Sequence, residues 1–215
     1  MANYCVNRIY FCVEDKAAIE ELFHKMRACF ENLGYGSVYD LFRLHGYSEQ
    51  ELYEVIDKRD DIIGCDGVIS SADGHYYFSI ETQTAWMPHI DNFYKLIGEL
   101  YGNKIRIIYC AEEEGCEVFL TNDFNAVFFK DRFRLSYGDS SMFEVEYFTS
   151  FSGMLGFIKK YLCDSVSELD GLLDLERKVV EQHIKDDDCY YCRINRFEFN
   201  EGRSAANACN KIYLP

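Results

Sequence analysis

Between residues 4 and 121, short runs of β-branched and aromatic residues alternate with stripes of apolar residues spaced three and four apart. That alternation points to strands and helices sharing one core. Residues 4–13 (Tyr-Cys-Val-Asn-Arg-Ile-Tyr-Phe-Cys-Val) read as a first strand. Glu14 and Asp15 open a helix whose buried stripe is Ile19, Leu22, Phe23, Met26, Phe30 and Leu33, with Gly34 and Gly36 as its stop. Two short helices follow as an insertion at about 37–60, the second opened by the capping pattern Ser48-Glu49-Gln50-Glu51 and ended by the charged run 57–61. A hairpin is expected over 67–82, turned by Asp73-Gly74. Thr84-Ala85-Trp86-Met87-Pro88 then joins a strand to a helix, with Pro88 at the helix start. That helix runs to about Tyr101, and strands follow at 104–110 and 117–121 around a turn at Glu112-Glu113-Glu114-Gly115. The order predicts an α+β chain with a ferredoxin-like βαββαβ core over residues 1–122.

Residues 123–215 read as an αβ extension packed on that core, either in the same sheet or beside it. Strands are expected at 126–137, 143–148 and 190–199, with helices at 152–162 and from Ser165-Val166-Ser167-Glu168 to about 184. The basic alternation Lys130, Arg132, Arg134 reads as the wet face of a strand.

Charge narrows the partners. Acidic residues number 37 against 22 basic ones, a formal net charge of −15. Such a field repels phosphate backbones and anionic membranes and attracts basic protein surfaces. Of the ten cysteines, Cys5, Cys12, Cys29 and Cys110 fall in apolar runs, and the first fifteen residues carry no secretory pattern. A reducing, cytoplasmic setting is therefore expected. No apolar run reaches the roughly 20 residues that a spanning helix needs.

Two segments carry a resemblance. The opening Asn3-Tyr4-Cys5-Val6-Asn7, and the series Glu81 to Pro88, helix, then Ile105 to Gly115 (I-R-I-I-Y-C-A-E-E-E-G), resemble the Api92-like proteins of phages and plasmids. The resemblance covers roughly the first 120 residues. It implies a ferredoxin-like domain and a bacterial mobile-element origin, and it carries no catalytic residues. His89 stands where that pattern often has a second proline.

Site chemistry is sparse. Cys189-Tyr190-Tyr191-Cys192 is the single CxxC, and a zinc site there would need His183 and Cys209 to complete four ligands. An RRM-like reading would place Tyr10 and Tyr77 as base-stacking aromatics, but Asp73 replaces the expected basic residue. No phosphate loop, dinucleotide fingerprint or nucleophile elbow occurs, so no cofactor and no catalytic residue are assigned. Packing at the strand–helix corner is the expected job of Trp86; the candidates for a protein contact are Trp86 and His89 at that corner and the acids Glu112, Glu113 and Glu114. The expected function is a non-catalytic interaction protein with a basic partner. Its sharpest form is an acidic inhibitor of a host nucleic-acid-binding defence enzyme such as a CRISPR effector.

Overall fold

The computed structural model describes residues 4–31, 36–53, 60–102, 104–184 and 189–200. Expectations that rest on Leu33, Gly34, Asp57, residues 186–188 and Cys209 lie outside this range. The chain is an α+β protein that divides into two compact units, residues 1–129 with 199–215 and residues 130–198.

The first unit contains β1 (Tyr4–Val13), α1 (Lys16–Glu31), β2 (Gly36–Ser37), α2 (Val38–Leu44), α3 (Glu49–Tyr53), β3 (Asp61–Cys65), β4 (Ser70–Ala72), β5 (His75–Ala85), α4 (Ile90–Tyr101), β6 (Arg106–Glu113) and β7 (Val118–Thr121). β1 lies between β5 and β6, antiparallel to both, and β3 pairs antiparallel with the outer side of β5. Period-two alternation along β1 puts Cys5, Asn7, Ile9, Phe11 and Val13 on one face and Arg8, Tyr10 and Cys12 on the other. The first set joins the helices. Phe11 stacks on Phe78 at 5.1 Å, Phe23 of α1 meets Phe78 edge-on at 5.3 Å, and Phe93 of α4 lies 6.2 Å from Phe11. Burying each such ring contributes about 1.5–3 kcal/mol.

Several local signals act as their chemistry predicts. The Asp15 carboxylate accepts from the N–H groups of Ala17 and Ala18 at the start of α1. Ser48 and Glu51 cap each other reciprocally, with Ser48 N–H on Glu51 Oε2 at 2.8 Å and Glu51 N–H on Ser48 Oγ at 3.3 Å. Asp73 and Gly74 both have positive φ (49° and 78°), as a two-residue hairpin turn requires, and join β4 to β5. Other boundaries differ. The sequence reading assigns no element to residues 62–65, where β3 lies; its pairing with β5, irregular between Ile62 and Gly64, is a non-local cause. α4 begins at Ile90, so Pro88 precedes the helix rather than opening it. Glu112 and Glu113 belong to β6, not to the turn.

The second unit comprises β8 (Phe133–Gly138), β9 (Phe143–Phe148), α5 (Phe151–Tyr161), α6 (Leu172–His183) and β10 (Tyr191–Arg196). Its sheet is separate, in the antiparallel order β10-β8-β9. Leu135, Met154, Leu155, Ile158, Leu175, Val179 and Ile194 form its core. Glu176 of α6 is buried there because its Oε1 accepts the Ile194 N–H at 2.6 Å, which satisfies a donor on the edge strand β10. Gly138 has φ 144°, and a Cβ there would stand 1.9 Å from the Met142 carbonyl oxygen, so only glycine fits.

Two corrections arise in or beside this unit. The strand expected from residue 126 starts at Phe133, because the Asp123 carboxylate gathers the N–H groups of residues 127–129. The pattern Ser165 to Glu168 opens no helix. Asp170, held by Lys178 at 2.8 Å, takes the Ser167 N–H instead, and α6 begins after Gly171. Beyond β10, the short β11 (Glu198–Phe199) joins β7 and returns the chain to the first sheet, whose order is β11-β7-β6-β1-β5-β3-β2.

A titratable contact lies within the first unit. His45, at the C-terminus of α2, is half-buried and has its Nδ1 3.0 Å from Lys25 Nζ of α1. Burial and then the Lys25 charge lower its pKa to about 4 from 6.5. The folded chain thus refuses a proton that the unfolded chain accepts. The resulting stability is fully present above about pH 6.5 and is lost as pH falls towards 4. Allowing for solvent screening, the loss through this group is about 1–2 kcal/mol. Urea midpoints compared across that window should show a shallower acid slope for His45→Gln than for the parent. Equal slopes would assign the acid sensitivity elsewhere.

Candidate functional site

The strand–helix corner is built by a tight turn. Met87 N–H bonds to the Ala85 carbonyl at 2.8 Å across Trp86, whose φ is 68°. A three-residue turn with positive φ at its centre is the rare, strained hand of the γ-turn. Thr84 Oγ1 donates to the Met87 carbonyl at 2.7 Å and accepts from Asn7 Nδ2 at 3.0 Å. Asn7, wholly buried, also donates to Thr82 Oγ1 and to the Cys5 carbonyl. The two segments that carry the family resemblance therefore meet in one hydrogen-bonded chain. The packing expected of Trp86 from the sequence is not what the structure has. Trp86 is 45% exposed, beside Met87 at 57%, and Tyr4, register partner of Ala85, is exposed too. Thr84 and Ala85, the two residues before Trp86, are buried, so exposure begins at the turn itself.

The other expected contact residues divide. His89 is the residue before α4, and its Nδ1 lies 2.7 Å from the carboxylate of Asp60, which is buried at 2% exposure. This pair ties the approach to β3 to the start of α4. Glu113 is buried and folds back to accept the N–H groups of Gly115 and Cys116, so it clamps the turn after β6. Glu112 lies 3.9 Å from Arg8, and Glu114 is exposed.

Sequence reading missed the loop that follows β7. Thr121, Asn122 and Asp123 each serve the backbone. Asn122 Oδ1 accepts the Tyr109 N–H at 2.8 Å and Nδ2 donates to the Ile107 carbonyl at 2.8 Å, continuing for β6 the pairing that β7 supplied. The buried Asp123 carboxylate accepts three successive N–H groups, from Val127, Phe128 and Phe129, at 3.1, 2.7 and 2.8 Å. Residues 124–129 are thereby wound into a loop over the sheet face that carries no helix. Phe128 stacks on Tyr10 with ring centres 4.1 Å apart and meets Tyr77 edge-on at 5.3 Å. Tyr10 and Tyr77 are thus neighbours on one face, as an RRM-like reading needs, but this chain's own phenyl ring holds the stacking position. The Thr-Asn-Asp run after a strand was the available signal for such a loop.

Beside Tyr10 the same face carries a groove of about 390 Å³ lined by Arg8, Asp66, Ser79, Glu81 and Phe129. Burial and the nearby Asp66 carboxylate raise the Tyr10 phenol above its ordinary range. Asp66 accepts the hydroxyl proton of Ser79. Among the described residues lining this groove, Arg8 alone is basic.

In the second unit, Cys192 is buried and its thiol is pushed up to about 12 by burial and then by Glu176. Cys189 is exposed. His183 stacks on Tyr190 at 4.4 Å and its Nε2 donates to the Leu162 carbonyl at 2.8 Å. Among the described residues, no three His, Cys, Asp or Glu side chains are grouped to hold a metal ion, and the nine described cysteines are free thiols.

Fold and site together define a two-unit α+β protein with an exposed aromatic corner and a sheet face on which its own loop sets Phe128 and Phe129 against Tyr10. Protein-family models, curated proteins and solved structures offer no match to this chain. Among the described residues, no helix is long and apolar enough to cross a membrane.

Proposed function

We propose that this chain is a non-catalytic protein-interaction protein that binds a partner with a basic surface through the Trp86–Met87 corner. The carrying observation is Trp86, a large aromatic residue half in solvent on backbone that L-residues avoid. Positive φ at a bulky residue costs about 1–3 kcal/mol, and an exposed ring recovers little of it by packing. Such a feature is economical only if a partner covers the ring, and tryptophan is among the residues that dominate interface energetics. The net charge of −15 selects a basic partner and speeds its encounter.

The order β6-β1-β5-β3, with α1 and α4 as the connecting helices, supports a ferredoxin-like βαββαβ core into which β2, α2 and α3 are inserted. The Api92-like resemblance supports reading the chain as part of a bacterial mobile element, and the free thiols of the described cysteines support a cytoplasmic setting. In its sharpest form the protein inhibits a host nucleic-acid-binding defence enzyme.

Trp86→Gly separates binding from folding. Glycine relieves the positive φ, so the variant should be as stable as the parent or more stable by about 1 kcal/mol. A tagged parent chain should retain a specific basic protein from host lysate at moderate salt, and the glycine variant should lose it at least tenfold. A variant destabilised by several kcal/mol would return Trp86 to a packing role. Equal capture by both chains would remove the corner from the interface.

A further inference from the structure

We propose that the groove beside Tyr10 is a socket for a guanidinium side chain carried on the basic surface of the partner, an inference that rests on the protein-binding reading above. Its floor is strands β1 and β5, where Tyr10 faces Ser79 and Arg8 faces Glu81 in direct register. One wall is Gly64 and Asp66, and the other is the aromatic pair Phe128 and Phe129. The loop wall is fixed in advance, because Asp123 holds all three N–H groups of residues 127–129 and Phe128 stacks on Tyr10. A wall already ordered costs little further entropy when a ligand enters.

The charges select the ligand. Among the described residues that line the groove Arg8 is the one cation, against Asp66, Glu81 and the Glu112 that lies 3.9 Å from it. Two negative charges are left in excess, so phosphate and carboxylate ligands are repelled. A planar cation gains a carboxylate partner, hydroxyl oxygens on Ser79 and Tyr10, and aromatic walls of the kind over which guanidinium groups settle. Space is provided by Gly64. A Cβ there would meet Glu81 Cβ at 3.4 Å, an ordinary contact, so a side chain at this position is tolerated and would occupy the groove.

The test uses the full chain, ¹⁵N-labelled, titrated with the peptide acetyl-Gly-Arg-Gly-amide and observed by ¹H–¹⁵N NMR. A saturable shift centred on the amides of Gly64, Ser79, Glu81 and Phe129 is expected, stronger than with the lysine analogue. Asp66→Asn with Glu81→Gln should weaken it about tenfold or more. Gly64→Val should abolish it while the remaining amide spectrum shows an intact fold. Shifts that scatter over the surface, fail to saturate, or survive the double substitution would reduce the effect to diffuse screening and overturn the socket. If the peptide fails while Trp86-dependent capture persists, the socket falls and the protein-binding reading stands. If the peptide binds at the groove but no partner is captured, the socket keeps its guanidinium ligand and the protein-binding reading falls.

Discussion

Asp123→Ala should lower stability by about 3 kcal/mol and free Phe128 from Tyr10. The carboxylate is buried and accepts three backbone N–H groups at 2.7–3.1 Å. Alanine leaves those donors without the acceptor around which residues 124–129 are wound. Loss of a charged acceptor costs more than loss of a neutral one, and buried donors left bare cost about 1–3 kcal/mol each before relaxation. Asp123→Asn keeps one carbonyl oxygen and should cost about half as much. Urea midpoints measure the stability. Ring-current shifts of the Phe128 protons measure the stacking. A loss below about 0.5 kcal/mol with Phe128 still stacked would show that ring packing, not the carboxylate, holds the loop.

Asn7→Ala should cost about 2–4 kcal/mol. Asn7 is wholly buried on the helix face of the sheet, where its amide donates to Cys5 O, Thr82 Oγ1 and Thr84 Oγ1. Alanine leaves a cavity and removes the donor from two hydroxyls at once. The loss should travel further, because Thr84 also holds the Met87 carbonyl. Weaker definition of the Trp86 turn is therefore expected with the lost stability, seen as exchange broadening of the Met87 amide. A neutral substitution would mean that water or neighbouring hydroxyls replace the amide without cost.

Particular residues show how far sequence logic reached. Local chemistry was legible wherever two or three neighbouring side chains decide the backbone. Ser48 with Glu51 and Asp73 with Gly74 act where their spacing placed them. The stripe Ile19, Leu22, Phe23 and Met26 of α1 is buried as its period requires. What failed was decided at a distance. β3 is a strand because β5 accepts it, and residues 126–129 leave the strand pattern because the Asp123 carboxylate gathers their N–H groups. The acids Glu112, Glu113 and Glu114 look alike in sequence, yet Glu113 is buried as a turn clamp while Glu114 faces solvent. Trp86 was legible as a landmark and misread in direction. Sequence placed it at a corner, and only the turn geometry showed that its ring points away from the core.

That exposed ring is also the chain's only tryptophan among 17 tyrosines and 17 phenylalanines. Light absorbed at the red edge of the aromatic band is therefore emitted from a single place, the corner between β5 and α4. In the folded protein the emission should already lie towards the colour of indole in water, so unfolding will change it little. A ligand closing over the corner would move it to shorter wavelength. The protein thus carries a label of its own, silent to denaturation and responsive to docking.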